Sequence, residues 1–115
     1  MIEYSIERAF VGNSNGFEEL LEDTITNSIR DLLGESSMRA ILYHLSLEKV
    51  GSDPQAFDRK LRELLNAPAT IIEEIIIKDL FKRLDLLYSP KGAFDFQRYT
   101  NAAREFYLSR EKKRV

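Results

Sequence analysis

Apolar positions recur along most of the chain at three- and four-residue steps, the spacing that lines one face of a helix. The first stripe is Phe17, Leu20, Leu21, Ile25, Ile29, Leu32 and Leu33, which predicts a helix over 17–33. Asn15 followed by Glu18 reads as a capping box, and Gly34 supplies a left-handed C-terminal residue. Met38, Ile41, Leu42 and Leu45 predict a second helix, capped by Ser36 or Ser37. Asp53-Pro54 opens a third, whose stripe is Phe57, Leu61, Leu64 and Leu65 and whose C-terminal residue is Asn66.

The fourth segment holds IIEEIII over 71–77, isoleucine-dense yet without the alternation a strand requires. Pro68 ends the preceding helix, Thr70 with Glu73 spells another capping box, and a helix is predicted over about 70–87. At about 100° per residue, Ile71, Ile72, Ile75 and Ile76 occupy one arc. Ile77, Leu80, Phe81, Leu84 and Leu87 extend the apolar surface round a different side. This helix is therefore expected at the centre, contacted on different flanks at its two ends. Ile71 and Ile75 need additional cover from the N-terminal segment, the last helix or a second copy.

Phe96, Tyr99, Ala103, Phe106 and Tyr107 predict a fifth helix over 94–110, after the turn Ser89-Pro90-Lys91-Gly92. The regular spacing of these aromatics favours packing over base stacking. Residues 110–114 carry no apolar partner positions, and 111–115 are expected to fray as a basic tail. At the other end, Ile2, Tyr4 and Ile6 alternate like a strand, while Ile2, Ile6 and Phe10 fit a helical face. Residues 1–16 are read as an N-terminal arm, a short helix or an extended segment, attached through Gly12-Asn13-Ser14-Asn15-Gly16. The fold expected is all-α: one domain of 115 residues, a compact bundle of about five helices round the apolar fourth.

Composition removes several kinds of chemistry. With no cysteine there are no disulfides, thiolate metal sites or cysteine nucleophiles. His44 is the single histidine, and Ile41 occupies the place where a Glu-x-x-His metal motif needs its acid. The five glycines compose no phosphate loop, and no nucleophile elbow occurs. Glu73 and Glu74 are adjacent, so they point apart and form no acid–base pair. No catalytic, cofactor or metal residue is assigned, and a non-enzymatic role is expected. The chain shows neither a membrane-spanning run nor a signal-peptide pattern, and a cytoplasmic location is expected.

Charge is unevenly spread. Residues 1–33 hold seven acids against two bases, and residues 88–115 hold seven bases against three acids. The two ends are expected to attract each other within the fold. By elimination, and from the split apolar face of the fourth helix, the favoured role is protein interaction, with self-association as a dimer or capture of another protein. Ile71 and Ile75, with Lys78 and Lys82 on the same side, are the candidate contact residues. The alternative is nucleic-acid binding by a transcriptional regulator, through Arg59 and Arg62 of the third helix with Lys112 and Lys113 of the tail.

One stretch also resembles a known family. It runs from LLGESSMRAILYHLSL through DPQAFDRKLRELLNAPATIIEEIIIKDLFKRLDL. Gly34, Ala40, Tyr43, His44 and Leu45, then Asp53-Pro54, Phe57, Leu61 and Leu64, then Glu73, Ile76 and Leu80 resemble the archaeal Nitrosopumilus output domain over residues 20–87. Asn66 departs from the pattern, standing where glycine is expected. The resemblance implies an archaeal, all-helical signalling-output or interaction module, and supplies no catalytic residue or ligand.

Overall fold

The computed structural model describes residues 14–47 and 49–113, with side chains over 16–47 and 49–111. Five helices occur among them and no strand: α1 (Ser14–Leu33), α2 (Glu35–Leu45), α3 (Pro54–Leu65), α4 (Pro68–Arg83) and α5 (Phe96–Lys113). The all-α expectation holds. Of the N-terminal arm, residues 1–13 lie outside the described set. Ser14–Gly16 belong to α1 rather than to a linker, so Asn15 sits inside the first turn and not at its cap.

The corner between α1 and α2 is a single residue. Gly34 has φ 96°, donates to the Arg30 carbonyl at 2.8 Å and accepts from the Met38 amide at 3.0 Å. It therefore ends one helix and caps the next, at a φ that suits only glycine well. This displaces Ser36 and Ser37 from the expected capping role into the exposed first turn of α2. Glu35 stands between Arg30 at 2.8 Å and Arg39 at 2.9 Å, which hold its carboxyl below the usual range.

α3 begins as the sequence predicts. Asp53 Oδ1 accepts from the Ala56 amide at 3.1 Å, and Pro54 occupies the first turn. Asn66 ends the helix at φ 60° and donates its amide to the Arg62 carbonyl. Pro68 does not merely stop α3. It opens α4, so Thr70 and Glu73 are already inside that helix and form no capping box.

α4 also stops short of the predicted Leu87. Leu86 N donates to Phe81 O at 2.8 Å and Asp85 N to Lys82 O at 3.1 Å, with Asp85 at φ 59°. That pair of bonds is a Schellman turn, which satisfies the last carbonyls and redirects the chain. Leu87 is left 88% exposed, while Leu84 stays in the core. α5 starts where Asp95 caps it, its Oδ1 accepting from the Arg98 amide at 3.2 Å. It runs to Lys113, so residues 111–113 are helical rather than frayed. Arg110 anchors that end by donating to the Leu84 carbonyl at 3.1 Å and covering the Phe106 ring.

The core gathers Phe17, Leu21, Ile25 and Ile29 of α1, Phe57 and Leu61 of α3, and Phe96 and Ala103 of α5 around Ile72, Ile76, Ile77 and Leu80 of α4. α4 packs against α1, α3 and α5, which is the central position its split apolar surface predicts. α1 shares the role, touching α2, α4 and α5. α5 also packs on α1, and one contact is Arg104 stacked over the Phe17 ring at 5.1 Å. Between α4 and α5 the chain builds a second aromatic layer, in which Tyr99 has Phe94, Tyr88 and Phe81 as ring neighbours within 6.0 Å.

Candidate interaction groove between α1 and α4

α1 and α4 run antiparallel. Ser28 Oγ donates to Asp79 Oδ2 at 3.2 Å, and one turn away Arg83 donates to Asp23 at 3.1 Å. The same register brings Leu32 level with Ile75. Asp79 also holds Arg83 at 3.5 Å, so a polar chain from Ser28 to Asp23 stitches the seam. Above this seam lies an open groove of about 420 Å³, lined by Ser28, Asp31, Leu32, Ile75, Lys78, Asp79 and Lys82.

Three of the four residues predicted for a contact surface, Ile75, Lys78 and Lys82, line this groove. Ile71 continues the row one turn earlier and is 63% exposed, while Ile75 is half-buried. The spacing 71, 75, 78, 82 keeps the four on one side of α4. Lys78 and Lys82 are exposed, the former with its Nζ 6.0 Å from the Tyr88 ring centre. The α1 contribution escaped the sequence reading: Leu32 is 45% exposed, and Asp31 and Ser28 form the opposite lip. A signal was present in the paired Leu32-Leu33, where two adjacent leucines at a helix end cannot both face one core.

The residues proposed for nucleic acid fare differently. Arg59 is exposed on α3. Arg62 is turned inward: Nε donates to Asp58 at 2.7 Å, one terminal nitrogen to Thr70 Oγ1 at 2.9 Å and the other to Glu73 at 3.0 Å. A guanidinium so committed is a tie between α3 and α4, although its side chain stays 40% exposed and three of its five N–H donors are used. The Lys112 and Lys113 side chains lie outside the described residues.

The same cluster is the second feature the sequence hid. Glu73 is fully buried, and its carboxyl is pushed up to about 9 by burial and by the neighbouring Asp58, against the opposing pull of Arg62. The Thr70/Glu73 spacing that read as a cap serves Arg62 instead. His44 stands exposed with its ring 5.7 Å from Tyr43. Among the described residues no group of three or more His, Cys, Asp or Glu could hold a metal ion, and no helix is long and apolar enough to cross a membrane. Comparison with family models, with curated proteins and with solved structures finds no match to this chain.

Proposed function

We propose that the chain is a non-enzymatic protein-interaction module that self-associates through the α1–α4 groove. One observation carries the reading: Ile71 stands 63% exposed at the head of an apolar row that continues through Ile75 to Leu32. Isolated exposed apolar residues need no explanation, but a contiguous row edged by charge is the composition of a contact surface. The charge pattern favours a second copy as the occupant. Lys78 and Lys82 edge the α4 side and Asp31 the α1 side, so the face is complementary to itself. A two-fold arrangement sets the acid of one copy against the lysines of the other. A role as the output module of a signalling protein, as the resemblance over residues 20–87 implies, belongs to the same proposal.

Sedimentation equilibrium across a concentration series tests it. The wild-type chain is expected to show a reversible dimer. Ile71→Asp removes an exposed side chain from the fold's surface and should raise the dimer dissociation constant by roughly 10- to 100-fold. Asp31→Lys alone, and Lys78→Glu with Lys82→Glu, should each weaken the dimer. The three substitutions together should restore it, since the charge pattern is then inverted on both copies. A wild-type chain monomeric at high concentration, or a triple variant no better than its parents, would refute the proposal.

A further inference from the structure

Asp58 and Glu73 share a single cation. Arg62 reaches Asp58 at 2.7 Å and Glu73 at 3.0 Å, and spends its remaining nitrogen on Thr70. Two carboxylates against one guanidinium leave one negative charge in excess, and burial decides which carboxyl gives it up. The Asp58 side chain keeps 30% of its exposure, and that of Glu73 keeps none. The Glu73 Oε2 atom is buried with no hydrogen-bond partner. Ionised, that oxygen is an unsatisfied acceptor in an apolar interior, among the costliest groups a core can hold. Protonated, the Glu73 carboxyl becomes a donor, and the neighbouring Asp58 carboxyl that acts on it is an acceptor.

We propose that Glu73 enters the fold as the neutral acid and shares its proton with Asp58, making the α3–α4 turn a proton-operated clasp. The clasp spans the turn at Asn66-Ala67, with Asp58 and Arg62 before it and Thr70 and Glu73 after it. The upward displacement of the Glu73 carboxyl, led by burial, agrees with this arrangement. The charged groups acting on Glu73 are Asp58 and Arg62, both of α3. Of the charged groups on the other helices packed on α4, several are engaged elsewhere. On α1, Asp23 binds Arg83 and Glu22 binds the Gly51 amide; on α5, Arg98, Arg104 and Arg110 bind the Lys91 carbonyl, the Phe17 ring and the Leu84 carbonyl. The clasp fixes the first two turns of α4, the turns that carry Ile71 and Ile75. It is independent of self-association, because its readout is the stability of the fold.

The sign follows from where the proton sits. Between the ordinary carboxyl value of 4.5 and about 9, the folded chain holds a proton that the unfolded chain has lost. Stability contributed by this proton is full below that window and is lost as pH rises through it. The folding constant falls by up to about tenfold per pH unit. Urea unfolding of the full chain across the window should show this decline. Glu73→Gln, which keeps the neutral shape, should flatten it and surpass the wild type at the alkaline end. Asp58→Asn leaves Glu73 alone with Arg62, and should shrink the decline. Carbon-13 titration of the Glu73 carboxyl in the wild-type chain needs no variant; its midpoint should fall near 9. A midpoint in the ordinary carboxyl range, or a Glu73→Gln slope equal to that of the wild type, would overturn the clasp.

Discussion

The Gly51 amide donates to Glu22 Oε1 at 2.7 Å, tying the α2–α3 connection to the middle of α1. The approach is close enough that a Cβ on Gly51 would lie 2.6 Å from the Glu22 amide nitrogen and would also strike the Glu18 carbonyl. The obstacle is helix backbone, which cannot swing aside as a side chain can. Gly51 is required here for its lack of volume.

Gly51→Ala should therefore destabilise the fold by roughly 3 kcal/mol, the upper end of overpacking costs. Chemical denaturation with the slope held constant checks the figure. An effect below a few tenths would mean that the loop lifts off α1 at little cost.

Asn66 and Asp85 hold φ 60° and 59°, a region where side chains are strained. Glycine relieves about 1 kcal/mol or more of that strain and returns about half of it as unfolded-chain entropy. Asn66→Gly and Asp85→Gly should each raise stability by roughly 0.5 kcal/mol, read as a small rise in melting temperature.

The helix starts can be separated by alanine. Asp53→Ala loses the bond to the Ala56 amide and should cost about 1 kcal/mol. Ser36→Ala and Ser37→Ala should be neutral within about 0.5 kcal/mol, because Gly34 and not a serine caps α2. A serine effect matching that of Asp53 would contradict the corner described above.

Leu84 and Leu87 look equivalent on a helical wheel and differ after the Schellman turn. Leu84→Ala should cost roughly 2–4 kcal/mol, and Leu87→Ala almost nothing. Melting temperatures of the two variants give the comparison directly.

Much of the architecture was legible, because each helix announces itself through an apolar stripe. Phe17 to Ile29, Phe57 with Leu61, and Phe96 with Ala103 all lie in the core where their spacing puts them. The errors cluster at helix ends, where one residue has two plausible jobs. Thr70 and Glu73 have the spacing of a cap and also that of two groups on one helical face, and only the tertiary position of Arg62 decides between them. Leu87 continues the α4 period, and the wheel gives no weight to Asp85, whose short polar side chain tolerates the turn. The α4 side of the groove was legible from isoleucines that one packing surface could not cover. Its α1 side showed only in the paired Leu32-Leu33, and that it meets α4 did not show, since the seam between Ser28 and Asp79 joins positions 51 apart in the chain.

The layered aromatics have a consequence for the order in which the molecule takes shape. Phe96 lies 5.5 Å from Phe57, and Tyr107 lies 5.8 Å from Phe17, so α5 lays its rings on phenylalanines of both α1 and α3. During synthesis those earlier helices emerge first, with the two phenylalanines uncovered until α5 follows. A chain lacking α5 is therefore expected to expose both rings and to aggregate more readily than the full chain.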